Sequence, residues 1–97
     1  LNYSVMTTLK EIRIFRLMEK LESRIEYLTI LVKSAANDYY IGNIKHRQAL
    51  MVYKSNIKAL MYYSRVYQSL EYDATLCDTK SKEMFVEVTS LIKFFEC

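Results

Sequence analysis

Gly42 is the only glycine in a chain of 97 residues that contains no proline. Such a chain favours long uninterrupted helices, because proline and glycine are the residues that most often break them. On both sides of Gly42 the apolar residues recur at helical spacing. Gly42 can end a helix in the left-handed conformation, and Asn43 can begin the next one as its N-cap. The sequence therefore predicts a helical hairpin that turns at Gly42.

The first helix is predicted from Thr8 to Tyr40. Thr8 and Glu11 fit a capping box, in which two side chains satisfy free backbone N–H groups at the start of a helix. No glycine, proline or polar cluster interrupts the segment that follows. Its apolar seam advances in steps of three and four residues and consists of Ile14, Met18, Leu21, Ile25, Leu28, Val32, Ala35 and Tyr39.

The second helix is predicted from Asn43 to about Tyr72 and carries two apolar seams, one of which contains Ile57 at its buried centre. Two seams need two neighbouring helices. A connection over residues 73–77 follows, where Thr75 and Asp78 fit another capping box. The third helix then continues to the C-terminus with the seam Phe85, Val88, Ile92 and Phe95. We therefore predict an all-α, antiparallel three-helix bundle with a long first helix, as one domain over residues 1–97 in which residues 1–22 form an N-terminal helical extension.

Composition excludes several classes of protein. Hydrophobic residues make up 52% of the chain, too many for a disordered segment, and no apolar run is long enough to span a bilayer. The net charge of +3 comes from cations scattered among acids, which indicates solvated surface rather than a nucleic-acid site. Cys77 and Cys97 lack metal-type spacing, so a reduced cytoplasmic protein is the simplest interpretation. Because the first residue is Leu1 and not Met, we expect a fragment of a longer protein.

No catalytic or metal-binding constellation is visible. His46 is the only histidine and has no cysteine or carboxylate at ligand spacing, which favours a plain surface residue. The acidic strip on the first helix and the pair Glu83 and Glu87 are interpreted as solvated helix faces; the strip consists of Glu19, Glu22 and Glu26. We therefore predict no catalytic residue, no metal, no cofactor and no enzymatic activity.

Nine tyrosines are an unusual number for a chain of this size. Most lie before the turn or along the second helix, among them Tyr39, Tyr40, Tyr53, Tyr62, Tyr63, Tyr67 and Tyr72. They can be half-buried with each hydroxyl at the rim of the core. They can also form a partner-binding surface, since tyrosine is enriched at binding hot spots. The sequence leaves both interpretations open.

The central hairpin resembles an MIT (microtubule interacting and trafficking) domain. The residues that carry the resemblance are Ala35, Asp38, Gly42, Ala49, Tyr53, Ile57 and Leu60. The last helix is similar to the third helix of that family in length and pattern, so the resemblance covers roughly Arg24 to Cys97. It departs in a longer gap between Gly42 and Ala49, in Asn56 at a small apolar position, and in a longer second helix. The family implies a three-helix bundle that binds peptide segments in the grooves between its helices.

One branch of that family is similar in further details. The C-terminal MIT domain of autophagy-initiating protein kinases resembles the chain over residues 34–38 and in the spacing from Tyr53 to Leu91. This resemblance implies a role in autophagy, membrane trafficking or protein transport. The implied partner is an autophagy scaffold subunit or a membrane-scission filament protein. The implied location is the cytoplasm, with recruitment to membranes through partners.

The leading hypothesis is a non-catalytic module that binds a helix or peptide of a partner protein between the second and third helices. The predicted wall is Met84, Glu87, Leu91 and Phe94, with Tyr62 contributed by the second helix. The alternative is a structural or assembly subunit that dimerises through its long first helix.

The N-terminal part of the first helix carries apolar residues on several sides. Exposed apolar surface of this extent usually marks a contact with another domain or protein. The third helix is too short to reach these residues. We therefore predict a second contact surface, for a preceding domain or a second copy, formed by Leu9, Ile12, Phe15 and Leu17.

Overall fold

The computed structural model describes residues 8–74 and 79–96, which form three helices and no strand. Helix α1 spans Leu9–Tyr40, α2 spans His46–Asp73 and α3 spans Thr79–Glu96. The helices pack side by side in a body of 53 × 19 × 18 Å. The predicted all-α three-helix bundle with a long first helix is confirmed.

The start of α1 is capped as predicted. The Thr8 backbone is extended, and its hydroxyl oxygen accepts a hydrogen bond from the Glu11 N–H at 3.2 Å. This bond satisfies one of the N–H groups that a helix start leaves without an intrahelical partner.

The turn after α1 is a Schellman motif centred on Gly42. The Gly42 N–H donates to the Tyr39 carbonyl at 3.1 Å, and the Asn43 N–H donates to the Asp38 carbonyl at 2.8 Å. Gly42 has a φ of 84°, which a residue without a Cβ adopts at little cost. The predicted helix stop at Gly42 is therefore confirmed.

The predicted N-cap at Asn43 is wrong by two residues. The N–H of Asn43 is still engaged in closing α1, so α2 begins later, with Lys45 as its N-cap. The Lys45 N–H donates to the side-chain oxygen of Gln48 at 2.8 Å, which is the carboxamide half of a capping box.

One core runs through all three helices. Most of its members follow the predicted seams, and Ile57 is among them, 9% exposed; Phe15 and Leu91 are core members that lie outside those seams. The core residues are Phe15, Met18, Ile25, Leu28, Val32 and Ala35 of α1, Ala49, Tyr53, Ile57, Leu60 and Tyr67 of α2, and Val88, Leu91 and Phe95 of α3. Because Phe15 and Met18 belong to this core, the front of α1 packs into the bundle and is not a bare extension.

A buried carboxylate links α2 to the start of α3. Glu71 is only 3% exposed, and its Oε1 accepts a hydrogen bond from the N–H of Ser81 at 3.0 Å. A negative charge is favourable there, because the first turn of a helix presents free N–H groups and the positive end of the helix dipole. The predicted capping box of Thr75 with Asp78 lies outside the described residues, as do Cys77 and Cys97.

Candidate functional site

Helix α3 runs in the same direction as α1 and is held to it by two ion pairs. Lys80 Nζ lies 3.2 Å from Glu22 Oε2 near the start of α3. Further along both helices, Lys33 Nζ lies 3.4 Å from Glu87 Oε1. Over its whole length α3 packs less closely on α1 than on α2, and an open groove lies between α1 and α3.

The groove between α1 and α3 has a volume of about 390 Å³ and a partly apolar lining. Ile25 and Thr29 are buried at its α1 wall, and Met84 is half-buried at its α3 wall. Ile30 belongs to the same lining but is 55% exposed, so its apolar side chain is in contact with solvent at the opening of the groove. Concave apolar surface of this kind is where ligands and partner segments bind.

The rim of the groove is acidic. Four glutamates and two lysines line it, and both lysines are engaged in the ion pairs with Glu22 and Glu87. Glu26 and Glu83 are exposed and make no ion pair with any described residue. The site therefore offers two uncompensated carboxylates beside an apolar floor.

Glu22 connects all three helices at one end of the groove. Its carboxylate accepts a hydrogen bond from the Tyr67 hydroxyl of α2 and pairs with Lys80 of α3. Burial of the phenol, and then the bond to Glu22, raise the pKa of Tyr67 above its ordinary range. The interpretation of Glu22 as a solvated residue is therefore wrong, since its side chain is only 25% exposed.

The interface between α2 and α3 is filled by the chain's own side chains. Tyr53 stacks on Phe95, and its hydroxyl donates to the Glu96 carboxylate. Burial, followed by that bond, raises the pKa of Tyr53. A depression remains above this pair, lined by Leu50, Tyr53, Lys54, Ile57, Lys58, Phe95 and Glu96. None of the predicted binding residues lines it.

The predicted partner-binding residues are divided among three environments. Met84 and Glu87 line the groove between α1 and α3, not the predicted one between α2 and α3. Leu91 is 6% exposed and belongs to the core, so its prediction as a contact residue is wrong. Phe94 is 43% exposed, with its ring 6.3 Å from that of Tyr39 on α1. Tyr62 is 64% exposed and contacts the ring of its neighbour Tyr63.

The predicted second contact surface is only partly exposed. Leu9 is 63% exposed and Leu17 is 45% exposed, whereas Ile12 is half-buried. Phe15 is 8% exposed, so placing it on an external surface is wrong. The predicted seam passed through Ile14 before Met18, whereas the structure buries the neighbouring Phe15 and leaves Ile14 only half-buried.

Sequence reasoning missed the α1 wall of the groove. Glu22, Glu26, Ile30 and Lys33 advance in steps of four, four and three, which places them along one side of the helix. This row borders the buried seam and contains an isoleucine among charged residues. Ile30, an apolar residue in a row of otherwise charged side chains, could have indicated from the sequence that this side of α1 carries partly exposed apolar surface.

The tyrosines support both interpretations of their role. Tyr53 and Tyr67 are each 2% exposed and complete the core with bonded hydroxyls. Tyr40 and Tyr72 are more than four-fifths exposed, at 81% and 83%.

His46, which the sequence analysis interpreted as a surface residue, is exposed, and the centroid of its ring lies 5.0 Å from that of Tyr39.

Within residues 8–74 and 79–96, no three His, Cys, Asp or Glu side chains are grouped as a metal site. None of the three described helices is long and apolar enough to cross a membrane. Comparison of the chain with known protein families, with curated proteins and with solved structures finds no match.

Proposed function

We propose that the chain is a non-catalytic protein-interaction module that binds a helical or extended segment of a partner protein in the groove between α1 and α3. One observation carries the proposal. The groove combines apolar surface at Ile25, Ile30 and Met84 with two carboxylates that have no ion-pair partner among the described residues.

This lining defines the chemistry of the partner segment. Ile30 and Met84 offer apolar surface to one face of an amphipathic segment, whose anchors recur every three or four residues if the segment is helical. Glu26 and Glu83 favour a lysine or arginine on the partner beside that face. Both members of the Lys33–Glu87 pair are exposed, so this ion pair contributes little to stability and its charges can exchange partners.

The resemblance to MIT domains supports the same class of function, because domains of that family bind peptides in grooves between their helices. The resemblance also suggests a class of partner and a cellular location. The partner is an autophagy scaffold subunit or a membrane-scission filament protein, and the location is the cytoplasm, with recruitment to membranes through that partner.

Selection of peptides from a randomised library tests the proposal. The selected peptides should combine two or more apolar residues at helical or alternate spacing with at least one basic residue. Ile30→Asp should weaken their binding at least about tenfold, since it places a charge in the apolar contact. Val86→Asp is the matched control, because Val86 is exposed on α3 outside this groove. Equal binding by the two variants contradicts the proposal.

A further inference from the structure

The charges of α1 are segregated on two sides of the helix. Its five cations before residue 25 recur in steps of three, three, four and four, which places them on one side. We call this the basic face; it consists of Lys10, Arg13, Arg16, Lys20 and Arg24. The acids of α1 up to residue 26, which are Glu11, Glu19, Glu22 and Glu26, fall on a different side, which includes the wall of the groove.

The cations of the basic face have no acidic partner among the residues that the structure describes. All five of its cations are exposed, and none forms an ion pair with a described residue. Lys33 and Lys80 differ in this respect, since both are engaged by glutamates across the groove. Five exposed cations along one side of a helix create a positive potential that attracts an anionic partner.

Exposed apolar side chains lie among these cations. Leu17 is 45% exposed, Tyr27 is 61% exposed and Leu31 is 36% exposed, and helical geometry places all three on the side of the basic face. Nucleic-acid phosphates satisfy the cations but give leucines little apolar contact. An anionic bilayer satisfies both, since lipid headgroups pair with cations while leucine and tyrosine enter the interfacial region.

We propose that the basic face of α1 binds the surface of a membrane containing anionic lipids. This goes beyond the proposed function, because it assigns membrane contact to the chain itself and not to a partner. The two surfaces are compatible. Arg24 and Tyr27 lie on the basic face, whereas Ile25, Glu26 and Thr29 line the groove, so a chain lying on a bilayer keeps its groove open.

Co-sedimentation with vesicles tests the proposal. The full chain should bind vesicles of phosphatidylcholine and phosphatidylserine, should not bind phosphatidylcholine alone, and should dissociate as salt is raised. The triple variant Arg13→Gln, Arg16→Gln, Arg24→Gln should bind at least about tenfold more weakly, since each cation contributes roughly fivefold. Glutamine is a good helix former, so the variant should remain helical by circular dichroism.

The matched control removes three exposed cations from α2, as Lys54→Gln, Lys58→Gln and Arg65→Gln. It changes the net charge equally and should keep its vesicle affinity within about twofold, because those cations lie on another helix, where Lys54 and Lys58 line the depression between α2 and α3. Loss of binding in this control but not in the α1 variant overturns the proposal. Equal binding of wild type to both vesicle types, or no change with salt, overturns it without reference to any variant.

Two other occupants give different outcomes. If duplex DNA binds more tightly than the vesicles and the α1 variant loses that binding, the basic face is a nucleic-acid site and the proposal is wrong. If wild type dimerises in analytical ultracentrifugation, does not bind vesicles, and the α1 variant is monomeric, a second copy covers the face and the proposal is equally wrong. Neither result affects peptide binding in the groove, which the Ile30→Asp variant tests separately.

Discussion

Tyr53 stacks on Phe95 with ring centroids 4.5 Å apart and an angle of 18° between the ring planes. Because this pair joins α2 to α3 across the core, it occupies the space that a partner segment would need between those helices. Among the described residues of α1 and α3, the ring pair of Tyr39 with Phe94 lies beyond the Lys33–Glu87 ion pair, and the groove between the two ion pairs remains open. The difference between the two grooves thus depends on where the largest side chains lie.

Ile57→Ala should destabilise the bundle by about 2–5 kcal/mol, the range for truncating a packed aliphatic side chain to alanine. Ile57 is 9% exposed at the interface of α2 with α3. Chemical denaturation followed by circular dichroism measures the loss. Met51→Ala is the control, since Met51 lies on the same helix but is 64% exposed, and it should change stability by less than about 0.5 kcal/mol.

Glu71→Ala should cost about 1–3 kcal/mol, because it removes the carboxylate to which the buried N–H of Ser81 donates. Denaturant titration of the variant against wild type gives the difference. Glu83→Ala removes an exposed glutamate from α3 and should be close to neutral. A Glu71 variant as stable as the Glu83 variant refutes the assignment of Glu71 as the residue that caps α3.

The stability of the fold should fall at high pH because of Tyr53 and Tyr67. Burial, and then the hydrogen bond to a glutamate, raise the pKa of each phenol above the ordinary value of 10.0. A group whose pKa is raised by folding binds its proton more tightly in the folded state. The stabilisation is therefore complete below pH 10.0 and is lost as the pH rises through the folded values.

Denaturation of wild type and of the double variant Tyr53→Phe, Tyr67→Phe at a series of pH values measures this effect. Every lysine is present in both proteins, so their deprotonation contributes to both curves. The variant should lose less stability than wild type above pH 10. Parallel curves for the two proteins rule out a contribution from these two phenols.

The helices and most of the core were predictable because they depend on local pattern. The single left-handed residue at Gly42 and the seams through Val32 and Ile57 are read directly from spacing and residue type. Burial of Phe15 was missed because the predicted seam passed through its neighbour Ile14, which placed Phe15 on another side of the helix. Burial of Glu71 was missed because its partner is a backbone N–H ten residues away on another helix.

The identity of the open groove could not be predicted for a different reason. It depends on how closely three helices approach one another, and hence on pairs such as Tyr53 with Phe95 that are distant in the sequence. The basic face could not be recognised from the linear sequence either. Its cations alternate with acids along the chain, and only the helical geometry of α1 separates them.

Backbone amide chemical-shift mapping by NMR, with one library-selected peptide added to the ¹⁵N-labelled protein, tests most directly whether a partner segment binds between α1 and α3. If it does, the largest shifts should occur at the walls of that groove, including Ile25, Ile30 and Met84. Shifts concentrated instead at Leu50 and Lys58, in the depression between α2 and α3, contradict this prediction.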